Sequence, residues 1–142
     1  MHNVEELARI VVDCSYRLHT DLGPGMLESV YEAFLAAKLA KANLRVDRQK
    51  PIPVEYEGLK LADGFRADLI IEDSLIVEIK SVEHLAPVHS KQLLTYLRLT
   101  KQPLGLLINF GSARFRDGVK RVVNGHTNFA SSRLRVHQNP LS

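Results

Sequence analysis

The stretch Asp68-Leu69-Ile70-Ile71-Glu72-Asp73-Ser74-Leu75-Ile76-Val77-Glu78-Ile79-Lys80 decides the fold. Apolar runs flank the polar centre Glu72-Asp73-Ser74, the pattern of two strands joined by a turn. Side chains alternate along a strand, so Leu75, Val77 and Ile79 share one face while Glu78 and Lys80 share the other. With the turn centred on Asp73, Asp68 falls opposite Glu78, and Leu69 and Ile71 join the face of Leu75, Val77 and Ile79. The hairpin then has one core face and one face that carries two carboxylates and an ammonium. Like charges set directly opposite each other destabilise paired strands. Ionised groups packed beside Ile70 and Ile76 also lose hydration. A divalent cation removes both objections. Oxygens from Asp68 and Glu78, with room for the Ile79 carbonyl and several waters, suit Mg²⁺ or Mn²⁺ rather than zinc. The single Cys also argues against a thiolate zinc site. An edge strand with a simply wet polar face satisfies the same pattern.

Lys80 adds chemistry to this face. No other Lys in the chain stands two residues after an acid. Its ammonium, beside carboxylates and a bound cation, would position or deprotonate a water, or neutralise charge on a pentavalent phosphate.

Composition sets the limits. With 142 residues, 45% of them hydrophobic and 25% charged, the chain has the balance of one globular domain with a real core. No apolar run approaches the roughly 20 residues that span a bilayer, and the N-terminus lacks a basic region followed by an apolar one. A cytoplasmic protein is expected, and the lone Cys14 forms no internal disulfide. The net charge of +3 is unevenly placed. From Gly111 onward Arg114, Arg116, Lys120, Arg121, Arg133 and Arg135 stand against Asp117 alone, a local +5 that leaves −2 for the rest. A basic flank beside acids suits an enzyme that must attract a phosphodiester backbone before cutting it. A solvated basic tail is the plain alternative.

Hydrophobic periodicity places an amphipathic helix over about residues 3–21, ended by Gly23-Pro24-Gly25. A second helix is expected over Met26 to Ala42, with Leu27, Val30, Tyr31, Phe34, Leu35 and Leu39 on its buried face. Short strands follow at 44–49, 52–56 and 59–62, with turns at Glu57-Gly58 and Asp63-Gly64. The Asp68 hairpin comes next, then a helix opened by Pro87 and running to about Leu99. Leu104–Phe110 is a continuous apolar run, expected as a buried strand reached by a parallel crossover from the Glu78 strand. Residues 119–123 add an edge strand. Arg66 is expected to pair with Glu55 or Glu57.

Two helical segments bear on the acids. Glu28, one turn before Tyr31 and Glu32, lies close enough to the apolar stripe to be drawn inward, toward a cation, its water or Lys80. An exposed acid in the first turn of a helix explains it equally well. Gln92 and Tyr96 are one turn apart on one helix face, able to hydrogen-bond a carboxylate, a water or a phosphate.

Taken together, these residues resemble a known family. A helix with Glu, a hairpin with Asp and Glu-x-Lys, a helix with Gln and Tyr and a buried strand are similar to the αβββαβ core of the PD-(D/E)XK nuclease superfamily. Gly25-Met26-Leu27-Glu28-Ser29-Val30-Tyr31 resembles the signature of its GxxExxY proteins, and the likeness runs from about Leu22 to Asn124. The resemblance implies an α/β, restriction-endonuclease-like fold with a mixed central sheet flanked by helices. The domain would span residues 1–124, with a core at about 22–124 and a polar basic tail at 125–142.

For the site, the resemblance implies Asp68, Glu78 and the Ile79 carbonyl as ligands of Mg²⁺, with Mn²⁺ as a substitute. Glu28 would join them directly or through water. Lys80, Glu28, Gln92 and Tyr96 would form the catalytic group. Arg114, Arg116, Lys120 and His89 are the expected contacts to nucleic acid. The implied activity is metal-dependent hydrolysis of phosphodiesters, in DNA by preference, with no membrane partner and a homodimer allowed. A catalytically silent module of the same fold, binding nucleic acid or protein, is the alternative. Ala67, where the family name has Pro, is the one departure, and Asp68 still supplies the ligand.

Overall fold

The computed structural model describes residues 2–125. The tail expected at 125–142, with Arg133 and Arg135, lies outside the described residues except for Gly125. Helix α1 spans Val4–Leu22 and α2 spans Glu28–Lys41. Strands β1 (Val46–Tyr56), β2 (Leu59–Ile71) and β3 (Leu75–Lys80) follow, then α3 (Pro87–Thr100), β4 (Leu104–Asn109), a 3₁₀ turn (Phe115–Gly118) and β5 (Val119–Val123). The five strands form one mixed sheet in the order β1-β2-β3-β4-β5. Only the β3–β4 pair is parallel, and α3 makes the crossover that such a pair requires. This is the α/β arrangement expected, with the αβββαβ core running from α2 to β4.

Helix α1 opens on a capping box in which the Asn3 side chain takes the Glu6 N–H and the Glu6 carboxylate takes the Asn3 N–H. Its apolar stripe, Leu7, Val11 and Leu18, meets the α2 residues Tyr31, Leu35 and Leu39 over Leu69, Ile71, Val77, Ile79 and Ile108. A second core lies under α3, where Leu93 and Leu97 cover Phe65, Ala67, Ile70, Ile76 and Leu107. The sheet is therefore buried on both faces. The hairpin does not have one dry side and one wet one, because β3 is a central strand and α3 packs on the face of Ile70 and Ile76 that Glu78 shares.

Two details differ from the sequence reading. Asp63-Gly64 does not turn the chain. Residues 46–56 and 59–71 are two long strands joined at Glu57-Gly58, both with positive φ, 49° and 83°, as a tight hairpin turn requires. Pairing shifts between Ile52 and Val54, so that Ala62, Asp63 and Gly64 bulge opposite Pro53, which has no N–H to give the ladder. A side chain at Gly64 would collide with Val54. Phe34, expected in the core, is half exposed because the buried stripe of α2 runs through residues 31, 35 and 39.

Candidate metal and catalytic site

The β2–β3 ladder pairs Leu69 with Val77, Ile70 with Ile76 and Ile71 with Leu75. One step further, at Asp68 and Glu78, side chains take over from the backbone. The Asp68 N–H donates to Glu78 Oε2 at 3.1 Å, and the Ile79 N–H donates to Asp68 Oδ2 at 2.8 Å. The strands part at this point, and each acid is pinned through one oxygen by the other's strand. Burial is the main force raising the carboxyl pKa of both. Glu78 is pushed up to about 8, with the charge of Asp68 adding to the effect. Asp68 is also raised, and its bonds from Ile79 and Gln49 offset part of the rise. Two desolvated carboxylates set together are short of positive charge.

Lys80 closes the strand on the same face as Glu78. Among the described residues it forms no ion pair within 4.0 Å, and its charge acts on both acids from farther off. Tyr96 of α3 stacks on Phe65 with ring centroids 3.8 Å apart. Its hydroxyl is raised in pKa by burial first and then by the charge of Glu78, while contact with Gln92 works the other way. Glu78, Tyr96 and Gln92 thus belong to one neighbourhood.

Glu28 is not drawn inward. It stands at the first position of α2, exposed, where its Oε2 accepts the Ser81 N–H at 3.3 Å. The buried acid of this helix is Glu32, one turn later and 6% exposed. Arg48 Nε reaches Glu32 Oε2 at 3.1 Å, and Gln49 Nε2 reaches Oε1 at 2.7 Å. Gln49 Nε2 also donates to Asp68 Oδ1 at 3.1 Å. Glu28, Glu32, Gln49, Asp68 and Ser81 line one cleft of about 490 Å³, with Met26 and Leu27 at its lip. Sequence reasoning missed both Glu32 and Gln49. Ala36, one turn beyond Glu32 and also buried, marks the flank on which Glu32 lies.

The motif from Gly25 to Tyr31 has a local mechanical basis. Gly25 takes φ +117°, a conformation that side chains rarely adopt. The Tyr31 hydroxyl donates to the Gly23 carbonyl at 2.5 Å and accepts the Met26 N–H at 3.2 Å. Ser81 Oγ donates to the Met26 carbonyl at 2.6 Å, tying this loop to the end of β3 directly after Lys80.

The basic residues are dispersed. Lys120 pairs with Leu107, which pairs with Glu78, so these three lie in one row across the sheet. By ordinary strand spacing Lys120 is about 10 Å from Glu78. Arg116 lies elsewhere, in a cleft of about 670 Å³ on the α1 side with Tyr16, Phe115 and Val119. Arg114 is exposed and 3.8 Å from Asp117. The His89 Nδ1 accepts the Ala86 N–H at 3.2 Å and so caps α3. Arg66 binds the Gln49 carbonyl at 3.1 Å and lies 3.7 Å from Asp63, not against Glu55 or Glu57 as expected, because Gln49 turns its carbonyl toward the guanidinium and the bulge brings Asp63 within reach.

No group of three or more His, Cys, Asp and Glu side chains able to hold a metal ion is found among the described residues. A site of two carboxylates completed by a backbone carbonyl and water needs no such group. The donor set fits a hard, oxygen-preferring divalent cation, because Asp68 and Glu78 are desolvated, held in place and short of positive charge. No described helix is long and apolar enough to cross a membrane.

The family model of the PD-(D/E)XK nuclease superfamily matches residues 5–122. Comparisons with curated proteins and with solved structures found no match.

Proposed function

Because the chain belongs to the PD-(D/E)XK nuclease superfamily, whose members are typically phosphodiesterases that use divalent metals, we propose that it is a Mg²⁺-dependent nuclease of the GxxExxY group that hydrolyses DNA. The observation that carries this reading is the pair Asp68 and Glu78, half-buried side by side where β2 and β3 part. Asp68 and Glu78, with the Ile79 carbonyl, would hold the metal, and Mn²⁺ suits the same oxygens. When bound there, the metal would supply Lewis-acid stabilisation of charge on the phosphate.

The remaining chemistry belongs to the chain. Lys80, in no ion pair among the described residues, is free to hold and orient the attacking water through an N–H. Its positive charge also opposes the negative charge that builds on the phosphate oxygens. Tyr96 and Gln92 offer a hydroxyl and an amide on the α3 side of Glu78 to orient the water or a phosphate oxygen. Lys120, in the row of Glu78, suits a backbone phosphate beside the scissile one. Glu28 holds Ser81 and keeps the end of β3 against α2.

The test is cleavage of linear and supercoiled DNA in Mg²⁺. Asp68→Ala and Lys80→Ala should each lower the rate by about a thousandfold or more while circular dichroism stays that of the wild type. Metal-dependent cleavage that survives either substitution contradicts the assignment.

A further inference from the structure

Gln49 occupies an unusual position. Six non-glycine residues among those described have positive φ, and five lie in turns or just past helix ends: Asn43, Glu57, Glu72, Asp73 and Lys101. Gln49, at φ +51°, lies inside β1. The pairs on either side, Arg48 with Leu69 and Lys50 with Ala67, keep the same register, so no residue is inserted there. What changes is the direction of one side chain and one carbonyl.

In an extended strand residues 48 and 49 point to opposite faces. Here both side chains end on one carboxylate, Arg48 on Glu32 Oε2 and Gln49 on Glu32 Oε1. The left-handed backbone at Gln49 breaks the alternation and makes this convergence possible. The Gln49 carbonyl, turned outward, is held by Arg66. An amide NH₂ has two hydrogens, and the Gln49 amide spends one on Glu32 and the other on Asp68 Oδ1.

We propose that Gln49 is a positioning residue that fixes the Asp68 carboxylate for its cation. The inference rests on the metal-site reading given above. Asp68 is then held from both sides, Oδ2 by the Ile79 N–H and Oδ1 by Gln49, and the carboxylate cannot rotate. Each oxygen keeps a lone pair for a metal. Glu32, 6% exposed and already charge-paired with Arg48, serves as the anchor that holds the Gln49 amide. Strain kept at a single side chain that orients a ligand is a recurrent feature of functional sites, and partners of metal ligands commonly set metal affinity by tenfold to a hundredfold.

The test uses the full chain with Mn²⁺ alone as probe. Gln49→Gly and Gln49→Asn both suit positive φ, so neither adds backbone strain at this position. The first removes the amide, and the second leaves it one methylene short. Mn²⁺ titration by calorimetry should show affinity lowered by about tenfold to a hundredfold in both, with a cooperative unfolding transition retained. In metal-free protein, NMR exchange of the Ile79 amide should be faster in both variants.

A wild type that binds Mn²⁺, an Asp68→Ala variant that does not, and Gln49 variants equal to the wild type would overturn the role of Gln49 and leave the metal site standing. Lowered melting temperature with unchanged affinity, or unchanged Ile79 exchange, would also overturn it. A wild type no better than Asp68→Ala would remove the metal site itself, and this inference with it.

Discussion

Two polar groups lie near one another at the C-terminal ends of the parallel strands β3 and β4, one buried and one half-buried, and they are built on opposite plans. Around Asn109, wholly buried, every valence is used. Its Oδ1 accepts the Val82 and Gly111 N–H groups at 2.9 and 3.0 Å, and its Nδ2 donates to the Val82 carbonyl and to Ser112 Oγ at 2.8 and 3.1 Å. The Ser112 carbonyl in turn takes His19 Nε2 at 2.8 Å. Backbone packs so closely there that a side chain at Gly111 would strike Val82, and one at Gly118 would strike the Asn109 carbonyl. The group around Asp68 and Glu78 is acidic, desolvated and pushed toward protonation. A neutral, closed network specifies a loop, whereas an acidic one with unused lone pairs is prepared for a ligand.

Substitutions separate the two plans, and the largest effect on stability belongs to the closed one. Asn109→Ala takes the side-chain partner from the part-buried Val82 and Gly111 N–H groups, the Val82 carbonyl and the Ser112 hydroxyl, and should lower unfolding stability by about 3 kcal/mol. Urea denaturation measures this, and a loss below about 1 kcal/mol would mean the network is not closed.

The open site should respond in the other direction. In metal-free protein the folded state keeps its Glu78 proton up to about pH 8, whereas the unfolded chain releases it near the ordinary value of 4.5. The raised value therefore favours folding below about 4.5, and that advantage is lost as the pH rises toward 8. Glu78→Gln should flatten this decline and, at pH 8, be more stable than the wild type by on the order of 2 kcal/mol. Denaturant midpoints across the range check it. A variant that retains the wild-type slope, or is weaker at pH 8, would contradict the desolvation of Glu78.

The smallest effect concerns the loop that joins the two regions. Tyr31→Phe keeps the ring stacked on Phe110, at 4.5 Å between centroids, and removes the hydroxyl that ties Gly23 to Met26. It should cost about 1 kcal/mol, with faster amide exchange at Met26. An unchanged Met26 amide would show that the hydroxyl does not hold the loop.

Much of the frame was legible in the residues. Alternation through Asp68–Lys80 gives the register of β2 on β3, and the apolar run from Leu104 gives a parallel strand reached through α3. These features follow from burial periodicity, a property of neighbouring residues. What was hidden depends on distant contacts. Asp63-Gly64 has the composition of a turn, and only its position opposite Pro53 converts it to a bulge. Glu28 and Glu32 are equivalent by helical spacing, and the partners on β1, Arg48 and Gln49, decide which is buried. Gln49 carries no local sign of a left-handed backbone, which Gly or Asn would have signalled.

The central claim is that Asp68 and Glu78 form the seat of a divalent cation. A crystal structure of the wild-type protein grown with Mn²⁺, with anomalous diffraction collected at the manganese edge, tests it directly. The expected map has a manganese peak within coordinating distance of both carboxylates. A map with no manganese between them, and with the acids still held by the Asp68 and Ile79 amides and by Gln49 as in the metal-free protein, would contradict it.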